Sequence, residues 1–428
     1  MIENTRHNSP QGVVSVSSLL MGIKSKSSNL FRVEGFPSLI LINILFGVSF
    51  SFVLPFTSLF GIDEVGMSNT SFGVFMTVSS IANVIVSTYI GKISDGNLSR
   101  RSLLLICSLA AAVGYATYAF VRDYYVLLIV SSLVLGIASS SLAQMFAYAR
   151  ELLTRSRLPE NETPLYMNVF RTFFALSWTI GPALGSFILI KLGFKGLYLF
   201  VAAIYLIIIV SVFFFMKKSD DVQEKELRTR ASAPSVPLRT IIFQSHILIN
   251  LIAFTLIKAA TTIGSMNMSQ FMIKELHSGE EQIGIVFSIP PIFEIPFMLL
   301  TGVLATRVDN RILIRLGMLS ATLYFTLLYV ASHPWEVYLI QILSAATISI
   351  TSGVAITYFQ NFIPDMPGTA TSLYMNTSTV GSMVAFLLFG FTAELYGYRF
   401  VNLVCALLAV ASLVLLLAVR KREARASA

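Results

Sequence analysis

GLYLFVAAIYLIIIVSVFFFM, residues 196–216, is a run of 21 residues with no charge and no polar face, and Lys217-Lys218 follows it at once. At 1.5 Å per residue such a helix covers about 30 Å, the thickness of the hydrocarbon layer of a bilayer. A helix apolar all round has no solvent-facing side, so lipid is its surroundings. Working outward, comparable runs lie near 36–58, 69–90, 102–121, 125–149 and 164–190 on one side, and near 241–270, 281–304, 312–331, 335–362, 368–391 and 398–420 on the other. Overall 55% of the residues are hydrophobic and 12% charged, against roughly 25% charged in a soluble domain. The runs lack the every-second-residue alternation of a membrane barrel. The expected fold is therefore an all-α membrane protein of twelve transmembrane helices in two pseudo-symmetric six-helix bundles.

The polar stretches between the runs divide the chain. Residues 1–35 are expected to be a cytosolic N-terminal tail, because the Val13 to Ile23 stretch is too interrupted by serine for a signal-peptide core. Residues 36–216 and 241–420 are the two bundles, 217–240 a cytosolic linker carrying Pro234 and Pro237, and 421–428 a short cytosolic tail. With both termini inside, 23 of the 30 Lys and Arg fall on the cytosolic side. Only Arg122, Lys191, Lys195, Lys274 and Arg399 fall outside, and Arg171 and Lys258 lie within spans. That bias fixes orientation. The formal charge of +8 is thus a topology signal, and nucleic-acid binding is excluded as its purpose.

The halves echo each other. Leu165-Tyr166-Met167-Asn168 at the start of span 5 recurs as Leu373-Tyr374-Met375-Asn376 at the start of span 11, 208 residues later, as internal duplication in a transporter predicts. Between spans 2 and 3, Gly91-Lys92-Ile93-Ser94-Asp95 precedes Arg100-Arg101. Gly91 would allow a tight helix end, and the charges would pair across neighbouring helices. In span 5, Trp178-Thr179-Ile180-Gly181-Pro182 continues to Gly185, small residues four apart for close helix contact and a proline that bends the helix.

The loop resembles the signature of the major facilitator superfamily, with Gly96 where the general pattern has an arginine and, in the second-half loop, Thr306 where the acid would be. The span 5 motif resembles the fifth-helix signature of facilitator-type exporters. A closer resemblance is to the bacterial sugar efflux transporter family within that superfamily. It is carried by Gln144-Met145-Phe146-Ala147-Tyr148-Ala149-Arg150-Glu151, Arg171 with Trp178 to Pro182, Glu294-Ile295-Pro296, Tyr358-Phe359-Gln360 and Leu373-Tyr374-Met375-Asn376-Thr377-Ser378. Lys258 and the long polar N-terminal tail depart from the pattern. The resemblance implies the major facilitator fold in a bacterial inner membrane and proton-coupled efflux of sugars or glycosides.

The residues themselves are compatible with that implication. Neutral polyols are held by side-chain amides, which donate and accept together, and by aromatic faces. The expected substrate-binding set is Asn43, Gln144, Arg150, Asn168, Arg171, Trp178, Asn267, Gln360, Tyr374 and Asn376, each of which can equally serve as a helix-packing group. Ionisable residues inside a bilayer are costly and point to function. Glu294 is therefore the expected proton carrier, with Arg171 biasing its charge state. Arg171 has a structural alternative as a partner of Glu151, and Lys258 an alternative as a residue reaching for the outer interface. Arg150 is expected at the inner gate or on substrate hydroxyls. Gly91, Asp95, Arg100, Arg101, Gly181 and Pro182 are expected to serve gating or structure. No cofactor or metal is expected, since His7, His246, His277 and His333 are scattered and Cys107 and Cys405 sit in separate spans. No Gly-x-x-x-x-Gly-Lys-Ser/Thr stretch occurs, so ATP is not the direct energy source. A functional monomer acting on a small molecule and a proton is expected. Proton-coupled multidrug or small-peptide export is the alternative, and a membrane sensor or lipid-handling protein the alternative of another class.

Overall fold

The structure, a computed structural model, describes residues 33–94, 99–156, 163–216, 242–363 and 366–426. Among these residues every regular element is helical. The helices are α1 (Phe36–Glu64), α2 (Asn69–Ser94), α3 (Arg100–Phe120), α4 (Tyr124–Arg155), α7 (Ser245–Glu275), α8 (Glu280–Leu304), α9 (Asn310–Val330) and α10 (Pro334–Phe362), with two much longer pieces, Thr163–Phe215 and Pro367–Ala426. At 53 and 60 residues each long piece measures about 80–90 Å, more than twice the hydrocarbon thickness. Each is two crossings. The backbone leaves the helix at Gly193 (φ 66°) and at Gly397 (φ 80°), a left-handed conformation that glycine adopts without strain. Splitting there gives α5 (163–192), α6 (194–215), α11 (367–396) and α12 (398–426), hence the twelve expected helices.

Lipid enforces this geometry, because every backbone polar group in the hydrocarbon must be bonded internally. One departure from expectation is at Gly91. α2 continues through it to Ser94, and a Cβ there would meet nothing within 4 Å. A helical glycine costs only about 1 kcal/mol, too little by itself to end the helix. α1 and α7 also outrun their expected ends, each closing in a π turn, Phe60–Glu64 and Phe271–Glu275. α4 and α10 carry π turns near mid-helix, Val130–Val134 and Ile350–Val354. Matching irregularities in α1 and α7, α4 and α10, and α5–α6 and α11–α12 extend the sequence duplication to the backbone.

Small residues set the packing. Within the first half, Gly47 faces Ser177 and Gly181 faces Ser51, seating α5 on α1. Between the halves, a Cβ at Gly73 of α2 would lie 2.5 Å from the Phe386 carbonyl oxygen of α11, and one at Gly284 of α8 would lie 2.7 Å from the Pro182 carbonyl oxygen of α5. α2 meets α11 and α5 meets α8. These contacts lie toward the end opposite the start of α1. That opposite end is called the far end below, and the end where α1 begins, flanked by most of the Lys and Arg, the basic end.

Candidate functional site

The far end is held shut by bonds between the halves. Ser269 donates to the Pro55 carbonyl, the Gln270 amide donates to Asp63 (2.7 Å) and to the Ser58 carbonyl (3.3 Å), and Lys274 pairs with Asp63 (2.7 Å). Tyr398 donates its hydroxyl proton to Asn69 (2.9 Å). Toward the basic end the surfaces open. Arg150, Asn168, Arg171 and Asn376 are exposed there, on α4, α5 and α11. Arg171, Trp178 and Pro182 fall on one stripe of α5, at i, i+7 and i+11, the stripe on which Pro182 meets α8. Glu294 of α8 is partly buried and makes no hydrogen bond or ion pair with a described residue. Arg171 does not pair with it. Its guanidinium lies 5.8 Å from the centre of the Phe146 ring instead.

Other expected site residues are occupied by structure. Asn43 is fully buried and its amide donates to the Phe170 carbonyl (2.6 Å), clamping α1 to α5. Asn267, equally buried, donates to the Tyr398 carbonyl (2.9 Å) and to Asn402 (3.1 Å), clamping α7 to α12. Gln360 joins α10 to α11 through Thr371 (3.0 Å), and the buried Tyr374 donates to the Thr351 carbonyl. Gln144 accepts from Arg100 (3.1 Å), which also pairs with Glu151. Glu151 is thereby taken by Arg100, not by Arg171. Arg101 donates to the Phe213 carbonyl (2.6 Å) and ties α3 to α6. Asp95 lies outside the described residues. Among the described residues no three His, Cys, Asp or Glu gather as a metal site.

The structure adds a cleft of about 430 Å³ between α2, α4 and α11 that the amide-centred reading of the sequence did not single out. Its polar lining is Ser79, Ser80, Asn83 and Ser87 of α2, Ser131 and Ser139 of α4, and Ser378, Thr379 and Ser382 of α11. All are neutral. The Ser79 hydroxyl, on a residue 4% exposed, and the Asn83 side-chain oxygen are buried without a hydrogen-bond partner among the described residues, an unmet demand that a rearrangement of the cleft around a ligand could satisfy. A signal for this wall does exist in the sequence. Ser79, Asn83 and Ser87 recur every fourth residue along one face of α2, and Ser378 and Ser382 do so on α11.

Comparison with known proteins agrees with this architecture. The family model of the Major Facilitator Superfamily matches residues 39–269 and 251–428. A putative sugar efflux transporter of Deinococcus radiodurans is 31% identical over 86% of this chain and 94% of its own. Sugar efflux transporter A of Dickeya chrysanthemi is 30% identical over 84% and 89%. The multidrug resistance protein MdtG of Dickeya zeae is more distant, at 22% over 84% and 88%. Among solved structures, the nucleoside transporter NupG superposes with a TM-score of 0.74 over 90% of this chain and 98% of that one, at 18% identity.

Proposed function

We propose that this chain, which belongs to the sugar efflux transporter family of the Major Facilitator Superfamily, moves sugars or glycosides out of the cell across the bacterial inner membrane in exchange for protons. The observation that carries the substrate class is the cleft at the interface of the halves. Its polar lining is neutral, eight hydroxyls and one amide beside the apolar Met76, Val84 and Phe386, and two of its buried polar atoms lack a partner among the described residues. The hydroxyls and the amide can exchange hydrogen bonds with a polyol, its apolar residues can face a sugar ring, and its lining carries no acid to attract a lipophilic cation, which favours sugar over the multidrug reading drawn from MdtG. Closed far end and open basic end correspond to one of the two states that alternating access requires. Both termini and the 217–240 linker face the cytosol in this reading, the basic end opens inward, Glu294 carries the coupling proton, and the monomer is the working unit.

Everted membrane vesicles test it directly. Under an imposed proton gradient they are expected to accumulate radiolabelled lactose or a methyl glycoside and not a lipophilic cation such as tetraphenylphosphonium. Accumulation of the cation alone would replace the reading with multidrug export. A cysteine placed in the 217–240 linker is expected to resist impermeant reagents added to intact cells, and labelling there would invert the topology.

A further inference from the structure

Lys258 of α7 carries a charge that no other described residue answers. It is partly buried near mid-span, and no described carboxylate lies within ion-pair distance of its amine. Its contact is aromatic: Nζ lies 5.6 Å from the centre of the Tyr374 ring, which the hydroxyl bond to Thr351 holds in place. A cation–π contact is worth roughly 1–2 kcal/mol, less than the cost of a charge at membrane depth. A lysine kept there at such a cost marks a pathway for a charged ligand.

The direction of the side chain says where that ligand sits. A Cβ on Gly381 of α11 would lie 3.2 Å from the Lys258 Cβ, while the amine reaches Tyr374, two turns closer to the basic end. The chain therefore points toward the open end and not toward the far interface, the alternative the sequence left standing. Tyr374, Ser378 and Ser382 are successive turns of one stripe on α11, and the two serines line the hydroxyl cleft. Ser382 also meets Thr262, one turn beyond Lys258 on α7 (3.2 Å). The amine is thus stationed beside the cleft, one turn toward the basic end from Ser378. Arg171, the other cation within a span, likewise rests on a ring, with no acid among the described residues paired to it.

The geometry points to Lys258 as a specificity-determining residue for a saccharide bearing an anionic group, a carboxylate or a phosphate, whose hydroxyls occupy the cleft while the acid meets the amine. This inference rests on the sugar-transport reading and narrows its substrate class. A charge-assisted hydrogen bond in a partly dry site discriminates by about tenfold or more.

The test is transport by everted vesicles of methyl glucoside, glucuronate and glucose 6-phosphate, each labelled and each used as competitor of the others. Glucuronate or glucose 6-phosphate is expected to half-saturate transport at a concentration about tenfold or more below methyl glucoside, and the better of the two identifies the acid. In Lys258→Met that ratio is expected to collapse toward one, and in Lys258→Arg to persist. Wild-type protein that moves methyl glucoside and shows no preference for either anion would overturn the inference and leave sugar transport standing. Transport of none of the three would instead remove the sugar-transport reading itself. A fall of all three substrates in Lys258→Met at an unchanged ratio would assign the lysine to structure. The wild-type competition needs no variant, so poor folding of Lys258→Met leaves the outcome decidable.

Discussion

Arg100 and Arg150 are both arginines at the basic end, yet their surroundings give them opposite work. Arg100 is 15% exposed, pairs with Glu151 at 17%, and donates to Gln144. Removing one member of a mostly buried pair strands the other's charge, at a cost of about 2 kcal/mol after allowance for partial exposure. Glu151→Gln is therefore expected to lower the melting temperature of the detergent-purified protein by several degrees. Arg100→Ala should do the same, and the double variant should lose less than the two combined. Arg150, one residue from Glu151, is exposed and has no side-chain partner among the described residues. Arg150→Ala is expected to leave the melting temperature within about a degree and to reduce sugar transport. Wild-type transport by that variant would leave Arg150 with no part in transport. Glu294 sits between these cases, partly buried and unpaired among the described residues. Glu294→Gln is expected to fold and to exchange sugar in counterflow while losing gradient-driven accumulation in proteoliposomes. Retention of both activities would remove Glu294 from coupling.

At the scale of helices, glycines that touch differ from glycines that do not. A Cβ on Gly390 of α11 would lie 2.7 Å from the Asn69 carbonyl oxygen of α2, closer than carbon and oxygen can pack, and that oxygen belongs to backbone and cannot swing aside. Gly390→Val is thus expected to push α2 and α11 apart and favour states open at the far end. The readout is faster labelling of a reporter cysteine at Ser378 by impermeant maleimide added from that side, and unchanged labelling would show that the pair does not seal the far end. Gly91, with open space around it inside a helix, is expected to gain about 0.5–1 kcal/mol on substitution by alanine, seen as a higher melting temperature. Hydropathy made the helices legible, since each run is a membrane thickness long, and the Leu-Tyr-Met-Asn repeat made the duplication legible. The π turns were not, because a single wider turn leaves no mark on composition. The roles of the amides were mixed for a similar reason. Asn43 and Asn168 look alike as sequence, and only their facing decides that one clamps α1 to α5 while the other stays exposed near the open end. Short hydroxyls of the cleft were passed over because serine in a span is usually bonded to its own helix, as Ser49 is to the Leu45 carbonyl (2.9 Å).

Across the whole molecule, the far end combines two kinds of closure, and their magnitudes assign them different roles. The Asp63–Lys274 pair is 33% and 48% exposed, so screening by water leaves it worth about 0–1 kcal/mol. It lies beside interlocked backbone at Gly73 and Gly390 and the buried bonds of Ser269 and Gln270. The salt bridge is then a marker of the closed state more than its cause, because a bias of about 1 kcal/mol shifts a two-state population by only about fivefold. Asp63→Asn is accordingly expected to change transport by no more than a few fold. Tying the same two positions together covalently is a different perturbation, since it forbids the open state altogether. If transport proceeds by alternating access, the distance between Asp63 and Lys274 must grow once in every cycle. In the paired variant Asp63→Cys with Lys274→Cys, a short bifunctional thiol reagent is expected to abolish sugar transport, and a reductant that cleaves a disulfide-containing version of the linker should restore it. Either single cysteine treated alike should transport normally, which separates locking from labelling. Full transport by the cross-linked pair, with the link verified by mass spectrometry, would mean that substrate leaves without parting this end, and the pathway between the halves would have to be abandoned.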